Sequence, residues 1–176
     1  MEKHISDFVV SDSKTNYVDI LMDSGAHIVV ELYPEHAPLT VANFQHLVSQ
    51  NFYAGVIFHR IIPDFMIQGG DPKGIGVGGS DQTIKGEFRS NGFNNNLRHT
   101  RGVLSMARTN NPNSASSQFF IMHANSPHLN GEYAAFGKVI SGMEEVDRIA
   151  KLPRDNNDRP YEPPAMQKVS FLSLKQ

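Results

Sequence analysis

Short β-rich runs, each bounded by glycine, proline, asparagine or serine, recur along the whole chain and limit the folds open to it. The first two runs are separated by Asp23-Ser24-Gly25, a turn sequence that predicts a β-hairpin. Many short strands fit a closed barrel, although periodicity alone does not distinguish a barrel from a sandwich. The strand-like runs are residues 17–22, 27–32, 56–62, 65–68, 102–107, 118–122, 134–140 and 167–174.

Two segments show helical spacing instead. Pro38 can begin a helix, and apolar residues then recur every three or four positions until about Gln50. Ser141 is placed to cap a second helix, which runs through Val146 and stops before Pro153. We expect these two helices to cover the ends of the β structure.

Length, charge and composition exclude several classes of protein. The 176 residues suit one compact domain, and the formal net charge of -2 provides no basic stripe for nucleic acid and no polybasic membrane patch. Because there is no cysteine, a disulfide framework, a thiolate zinc site and a cysteine nucleophile are all excluded. No basic-then-apolar signal segment and no membrane-spanning apolar run is found, so we predict a cytoplasmic protein without nucleic-acid or membrane partners.

One segment, residues 58–71, places an arginine inside an apolar run that ends in glycines: Phe-His-Arg-Ile-Ile-Pro-Asp-Phe-Met-Ile-Gln-Gly-Gly-Asp. Burial of an unpaired charge is costly, so Arg60 should have a carboxylate partner or line a cleft where a ligand meets it. Strict strand alternation places Arg60 on one face with Phe58 and Ile62. The simpler interpretation is a structural arginine whose stem packs while its head reaches solvent.

Three other patterns do not support a different chemistry. The glycine run 74–79 matches G-x-G-x-x-G, but no helical spacing follows it, so we predict a flexible surface loop beside the cleft instead of a nucleotide site. His123 and His128 have no carboxylate at ligand spacing, which favours surface or satisfied histidines over a metal site. Ser116 and Ser117 lack the G-x-S-x-G elbow of a serine hydrolase.

Three further segments form one sequence pattern together with residues 58–71. Residues 104–108 (Leu-Ser-Met-Ala-Arg) run on to 117–122 (Ser-Gln-Phe-Phe-Ile-Met), and residues 136–139 read Phe-Gly-Lys-Val. Together these segments resemble the cyclophilins, the cyclosporin-binding family of peptidyl-prolyl cis-trans isomerases. The resemblance runs from residue 17 to near the C-terminus, and its order and spacing match single-domain bacterial members most closely.

This resemblance implies a mainly β fold, namely a closed eight-stranded antiparallel β-barrel capped by two α-helices and formed by residues 17–176. Residues 1–16 extend beyond the family's usual start, and we expect a solvated, partly ordered tail there. We also expect the protein to be a monomer.

Isomerisation of an Xaa-Pro bond needs no nucleophile, and we expect neither a metal nor a cofactor. Rotation breaks amide resonance, which sets a barrier of about 18–20 kcal/mol. A catalyst must bind the twisted amide better than either planar isomer, so it needs an apolar holder for the ring and a donor for the nitrogen lone pair. The sequence offers both, and the resemblance implies activity on proline-containing peptides and on unfolded or folding proteins.

The resemblance also implies a role for each residue of the site. Arg60 is expected to donate to the prolyl nitrogen, Gln68 to orient Arg60, and Phe65 to grip the proline ring; we group these three as catalytic. Of two neighbouring aromatic residues, Phe120 is assigned to the proline pocket and Phe119 to the core. The other predicted substrate-binding residues are Met66, Ala107, Arg108, Thr109, Gln118, Phe120, His128, Leu129 and Tyr133.

Three positions depart from the best-known eukaryotic pattern. His128 stands where a tryptophan is common, Tyr133 where a histidine is common, and Arg108 where an asparagine is common. The first change removes an indole donor that cyclosporin uses, so we expect only weak cyclosporin binding. Arg108 matters least, because the family uses main-chain groups there, and the ring of Tyr133 can still wall the pocket.

Two other functional classes stay open. A binding or chaperone module of the same fold would hold proline segments without turnover, although the presence of Arg60, Phe65 and Gln68 favours an enzyme. A sugar- or small-molecule-binding β-barrel would need paired carboxylates or stacking tryptophans, and the chain has no tryptophan. An exchange assay on a proline peptide discriminates between these classes.

Overall fold

The computed structural model describes residues 2–176, and within this range nine strands and two α-helices are formed. The helices are α1 (Pro38–Ser49) and α2 (Met143–Ala150). Each of the eight predicted strand runs overlaps a strand. The strands are β1 (Phe8–Val10), β2 (Tyr17–Met22), β3 (His27–Leu32), β4 (Phe58–Ile62), β5 (Met66–Gly69), β6 (Val103–Met106), β7 (Phe119–Met122), β8 (Ala135–Ser141) and β9 (Met166–Leu174).

The strands form one antiparallel sheet in the order β1-β9-β2-β3-β8-β6-β7-β5-β4. β2 and β3 form the predicted hairpin. Beyond the ladders, an isolated bridge joins Ile57, just before β4, to Ala165, just before β9. The Met166 N–H also donates to the Val56 carbonyl at 2.9 Å. The eight strands from β2 to β9 therefore curl back on themselves, and the prediction of a mainly β fold with two helices is confirmed.

Part of the N-terminal segment packs on the domain: residues 8–10 form a strand and Phe8 is buried, which a solvated tail would not show, while most other side chains of residues 2–16 are exposed. β1 pairs with the end of β9, so that Phe8 lies opposite Leu174 and Val10 opposite Leu172. Phe8 is buried in a small cluster with Val29 and Leu172. Burial of this aromatic ring stabilises a ninth strand outside the predicted eight, because a Phe side chain gains about 1.5–3 kcal/mol when it leaves water.

The two helices begin differently. Pro38 occupies the first turn of α1 as predicted, and Glu87 accepts the Leu39 and Thr40 N–H groups at 3.2 and 2.6 Å. Ser141 does not cap α2, contrary to our prediction, because it is the last residue of β8. The N-cap is Gly142, whose φ of 95° is a left-handed conformation that favours glycine.

The apolar residues separate into a main core and a second cluster. Phe44 of α1 meets Phe119 and Phe136 inside the barrel, with ring centroids 5.5 and 5.3 Å apart. The second cluster lies outside the main core and includes Met66, Phe120 and Leu129. Phe119 thus faces the core as expected, while its neighbour Phe120 joins the other cluster. None of the helices within residues 2–176 has the length and apolar character needed to cross a bilayer.

Candidate active site

Arg60 projects outward because β4 contains an irregularity in its pairing with β5. Phe58 lies opposite Gly69 and Arg60 opposite Gln68, so two steps on β4 match one step on β5. The extra residue breaks the alternation of faces. Phe58 is fully buried in the main core, whereas Arg60 is exposed, so our assignment of the two side chains to one face is wrong.

The Arg60 guanidinium begins a chain of side-chain hydrogen bonds. It donates to Gln68 Oε1 at 3.3 Å, and Gln68 Nε2 donates to Gln118 Oε1 at 3.0 Å. Gln118 Nε2 then donates to the Gly78 carbonyl at 2.8 Å. Among the ion pairs formed by residues 2–176, none involves Arg60. Arg60 is therefore oriented by an amide and keeps its charge available for a ligand.

A cavity of about 180 Å³, here called the ring cavity, opens beside Arg60. Phe120 and Met66 are nearly fully buried in its wall. Phe120 meets Tyr133 edge to face, with ring centroids 5.8 Å apart. The space between these side chains suits one apolar ring of a ligand, and the polar edge of that ligand would face Arg60. The cavity is lined by Arg60, Phe65, Met66, Gln68, Ala107, Arg108, Phe120, Leu129 and Tyr133.

A second cavity of about 350 Å³, here called the glycine-loop cavity, adjoins the ring cavity and shares Gln68, Ala107 and Arg108 with it. Gln118 and Thr109 also line it, together with residues 76–80. Its wall is rich in backbone groups because several of its residues are glycines. Such a groove suits the backbone of a peptide whose ring side chain occupies the ring cavity.

Asp71 holds the glycine loop and was missed in the sequence. The residue is 1% exposed, and its carboxylate accepts N–H groups from Lys73, Ile75, Gly76 and Gly78 at 2.7–3.1 Å. Burial alone would raise the pKa of Asp71, but the four N–H donors together lower it below its ordinary value. The predicted flexible loop is thus anchored on a buried anion, and an aspartate beside a glycine run is the signal that could have revealed it.

Arg108 forms part of the wall and has its own partners. Its guanidinium lies 4.7 Å from the Phe88 ring centroid and 4.8 Å from that of Tyr133. It also donates to the Glu132 carbonyl at 2.7 Å and to the Thr109 carbonyl at 3.0 Å. This cation is fixed between two rings, so it shapes the junction of the two cavities and holds Tyr133 in place.

His123 fixes the turn that carries Phe65. The Asp64 N–H donates to His123 Nδ1 at 2.8 Å, and His123 Nε2 lies 3.0 Å from the Asp147 carboxylate. The His123 N–H donates to the Phe65 carbonyl at 2.9 Å. Arg101 makes a bidentate pair with the same Asp147 at 2.7 and 2.8 Å, which holds the pKa of that carboxyl below its ordinary value. His123 is thus a satisfied histidine, as predicted.

Most of the predicted site residues meet at these two cavities. His128 is the exception: it lines neither cavity and stands exposed at the rim, with its ring centroid 5.8 Å from that of Phe65. Within residues 2–176, no group of three or more histidines and carboxylates is placed to hold a metal ion.

Comparison with known proteins agrees with this geometry. Residues 17–171 match the model of the family described as cyclophilin type peptidyl-prolyl cis-trans isomerase/CLD. The chain belongs to this family, and its activity is the cis-trans isomerisation of Xaa-Pro peptide bonds. The family expected from the sequence is confirmed.

Individual relatives lie close to the chain over most of its length. Peptidyl-prolyl cis-trans isomerase ppi1 of Schizosaccharomyces pombe is 48% identical over 144 residues, which cover 81% of this chain and 91% of that protein. Peptidyl-prolyl cis-trans isomerase B of Bacillus subtilis is 50% identical over 131 residues, covering 74% and 87% respectively.

A solved cyclophilin type isomerase of Cryptosporidium parvum, crystallised in the presence of the dipeptide Ala-Pro, is 34% identical to the chain. The two structures superpose with a TM-score of 0.81, and the match covers 89% of this chain and 99% of that one.

Proposed function

We propose that the Arg60 guanidinium catalyses the isomerisation by donating to the prolyl nitrogen while the proline ring occupies the ring cavity. The observation that carries this proposal is a guanidinium with no ion-pair partner within residues 2–176, placed at the wall of a cavity that also has aromatic walls and oriented by Gln68 at 3.3 Å. The planar amide nitrogen is a poor acceptor because its lone pair is delocalised. As the bond twists, the lone pair localises on nitrogen and accepts a hydrogen bond that neither planar isomer can accept.

The protein supplies this donor without proton transfer. An arginine stays charged throughout the working pH range, so its N–H groups remain donors. A hydrogen bond to a charged group contributes about 1.5–3 kcal/mol, and here the contribution falls on the transition state. That magnitude corresponds to roughly a tenfold to more than hundredfold increase in rate.

The remaining residues bind or position the substrate in this proposal. Phe65, Met66, Phe120 and Leu129 hold the ring, and burial of a small apolar side chain there supplies affinity. Gln68 positions Arg60 and is itself held by Gln118 at 3.0 Å. The glycine-loop cavity takes the peptide backbone next to the ring, with Ala107, Arg108 and Thr109 along its side.

We further propose that the substrates are proline-containing segments of peptides and of unfolded or folding proteins. Both cavities are open at the surface, so an extended chain can enter without threading. The solved relative crystallised in the presence of Ala-Pro supports a proline dipeptide as the minimal occupant. A cytoplasmic location and a monomeric state stay predictions from the sequence.

The test is Arg60→Ala, measured by NMR exchange on an Xaa-Pro peptide. The variant should keep its fold, because Arg60 is exposed, and lose on the order of tenfold to more than a hundredfold in kcat/KM. Arg98→Ala is a charge-matched control, since Arg98 is exposed and lines neither the ring cavity nor the glycine-loop cavity. Near-normal exchange by folded Arg60→Ala would refute the role of Arg60. Peptide binding by the wild-type protein without faster exchange would favour a non-catalytic binding module.

A further inference from the structure

A third cavity, of about 440 Å³, adjoins the ring cavity at Arg60 and Gln68. Arg60 and Gln68 belong to both cavities and stand between them. β4 is the last strand of the sheet order, and beyond it the polar loop 154–160 closes the cavity with Asp155, Asn157 and Arg159. A peptide held in the ring cavity therefore passes beside this third cavity.

The charges that line the third cavity are unbalanced. Arg60 and Arg159 bring two positive charges, and Asp155 brings one negative charge. Asp155 Oδ1 accepts the backbone N–H groups of Asn157 and Arg159 at 2.8 and 3.0 Å, which ties the carboxylate to its own loop and leaves a net charge of one positive unit among the three groups. Arg159 uses one guanidinium nitrogen to donate to the Gly74 carbonyl, and among the described residues it forms no ion pair. The cavity thus keeps a net positive charge: Arg159 offers N–H donors to a ligand, and Arg60 adds its charge while its own donors serve Gln68 and the prolyl nitrogen.

His59 adds a neutral wall to the cavity. The residue is only 7% exposed, and its Nδ1 has no hydrogen-bond partner within residues 2–176. Burial lowers the pKa of His59; nearby Asp71 opposes this shift, and the charges of Arg159 and Arg60 add to it. The imidazole is therefore neutral near pH 7, so the positive character of the cavity comes from the two arginines.

We propose that the third cavity is a subsite for an acidic side chain, glutamate or aspartate, of the same peptide whose proline occupies the ring cavity. This inference rests on the proposed function, because the peptide must first be seated beside Arg60. The guanidinium fork of Arg159 suits a carboxylate, which accepts on both oxygens, and the charge of Arg60 adds attraction from the other wall. Arg159 would then act as a specificity residue that selects the sequence flanking the proline.

The experiment compares peptides that carry Glu or Gln at one position, scanned over three places on each side of the proline. At the position that reaches the cavity, kcat/KM should be about threefold to tenfold higher for Glu than for Gln, as one partly exposed ion pair beside a second cation allows. This ratio should fall when salt is raised to about 0.5 M, because salt screens exposed charges.

Three variants test the residue assignment. Arg159→Gln should lower the Glu-to-Gln ratio to about twofold or less, because only the charge of Arg60 remains, whereas Arg159→Lys should keep most of the ratio because the charge remains. Lys151→Gln has the same charge change, is exposed and lies outside the cavity, so it should keep the full ratio.

The outcomes separate this inference from the function on which it rests. Equal exchange of the Glu and Gln peptides at every position would overturn the acidic subsite alone. An unchanged ratio in Arg159→Gln would overturn the assignment to this cavity. Failure to accelerate exchange of any peptide would overturn the proposed function and the subsite with it.

Discussion

The substitution Asp71→Asn should loosen the glycine loop while leaving the barrel folded. Asparagine keeps the size of aspartate but replaces one oxygen with an NH₂ group and removes the charge. In the structure, Asp71 Oδ2 accepts three N–H groups, from Ile75, Gly76 and Gly78, and Oδ1 accepts the Lys73 N–H. The best arrangement of an asparagine points its oxygen at the three donors and its NH₂ group at Lys73.

The magnitude follows from these three bonds. A hydrogen bond to a charged acceptor contributes about 1.5–3 kcal/mol, against about 0.5–1.5 kcal/mol for a neutral one. Each of the three bonds should therefore weaken by about 1 kcal/mol, which sums to roughly 3 kcal/mol for the closed loop. The Lys73 N–H loses its acceptor as well, because an NH₂ group cannot accept, but this bond joins residues two positions apart and does not hold Gly76 or Gly78.

Native-state hydrogen exchange measures this loss directly. The loop can open without unfolding the barrel, so protection of the Gly76 and Gly78 amides should fall about a hundredfold. Because Gly78 also accepts from Gln118 at 2.8 Å, kcat/KM should fall about fivefold, the equivalent of one neutral hydrogen bond. Asp12→Asn serves as a control with the same charge change on the exposed surface. Protection of both glycine amides within twofold of the wild-type value would refute the argument.

Three further predictions concern pH, drug binding and the N-terminal strand. The folded pKa of Asp71 is lowered, so its stabilisation is fully present above the unfolded pKa of about 3.9 and is lost as pH falls through the folded pKa. Urea titrations should therefore show a difference in the free energy of unfolding between wild type and Asp71→Asn that is constant from about pH 5 to 7 and shrinks below about pH 4. His128→Trp should tighten cyclosporin by about fivefold to a hundredfold with much less change in peptide turnover, and equal inhibition constants in a drug titration would show that residue 128 does not set sensitivity. Phe8→Ala should lower the free energy of unfolding by about 2–3 kcal/mol at unchanged turnover, whereas a solvated tail would give less than about 0.5 kcal/mol.

Features that depend on neighbouring residues were predictable from the sequence. The hairpin at Asp23-Ser24-Gly25 and the start of α1 at Pro38 follow from local turn and helix chemistry, and the structure has both. The eight main strands are rich in β-branched and aromatic residues, and turn-forming residues bound each of them. These two local features are enough to locate the strands in the sequence. Strand ends shifted by up to two residues because the hydrogen-bond ladders, and not the composition, decide where pairing stops.

Features that depend on distant partners were not predictable. β1 has only three residues, and its partner strand lies at the other end of the chain, so no local pattern marks it. The pairing irregularity between Phe58 and Arg60 reversed the expected faces, because alternation assumes an unbroken ladder. Phe88, which stacks on Arg108, is far from the site in sequence. The roles of the site residues came from family resemblance, since periodicity cannot tell a pocket phenylalanine from a core one.

The outer edge of β9 has two different occupants, and this has a consequence for solubility. Just before the first residue of β9, Ala165 pairs with Ile57 of the segment that leads into β4. The last three residues of β9 pair with β1. An uncovered strand edge is a template on which another molecule can add a strand. A chain shortened by its first ten residues would expose that edge beside the Leu172 side chain. Such a chain should keep its isomerase site but self-associate as its concentration rises. The N-terminal strand covers the edge on which a second molecule would otherwise pair.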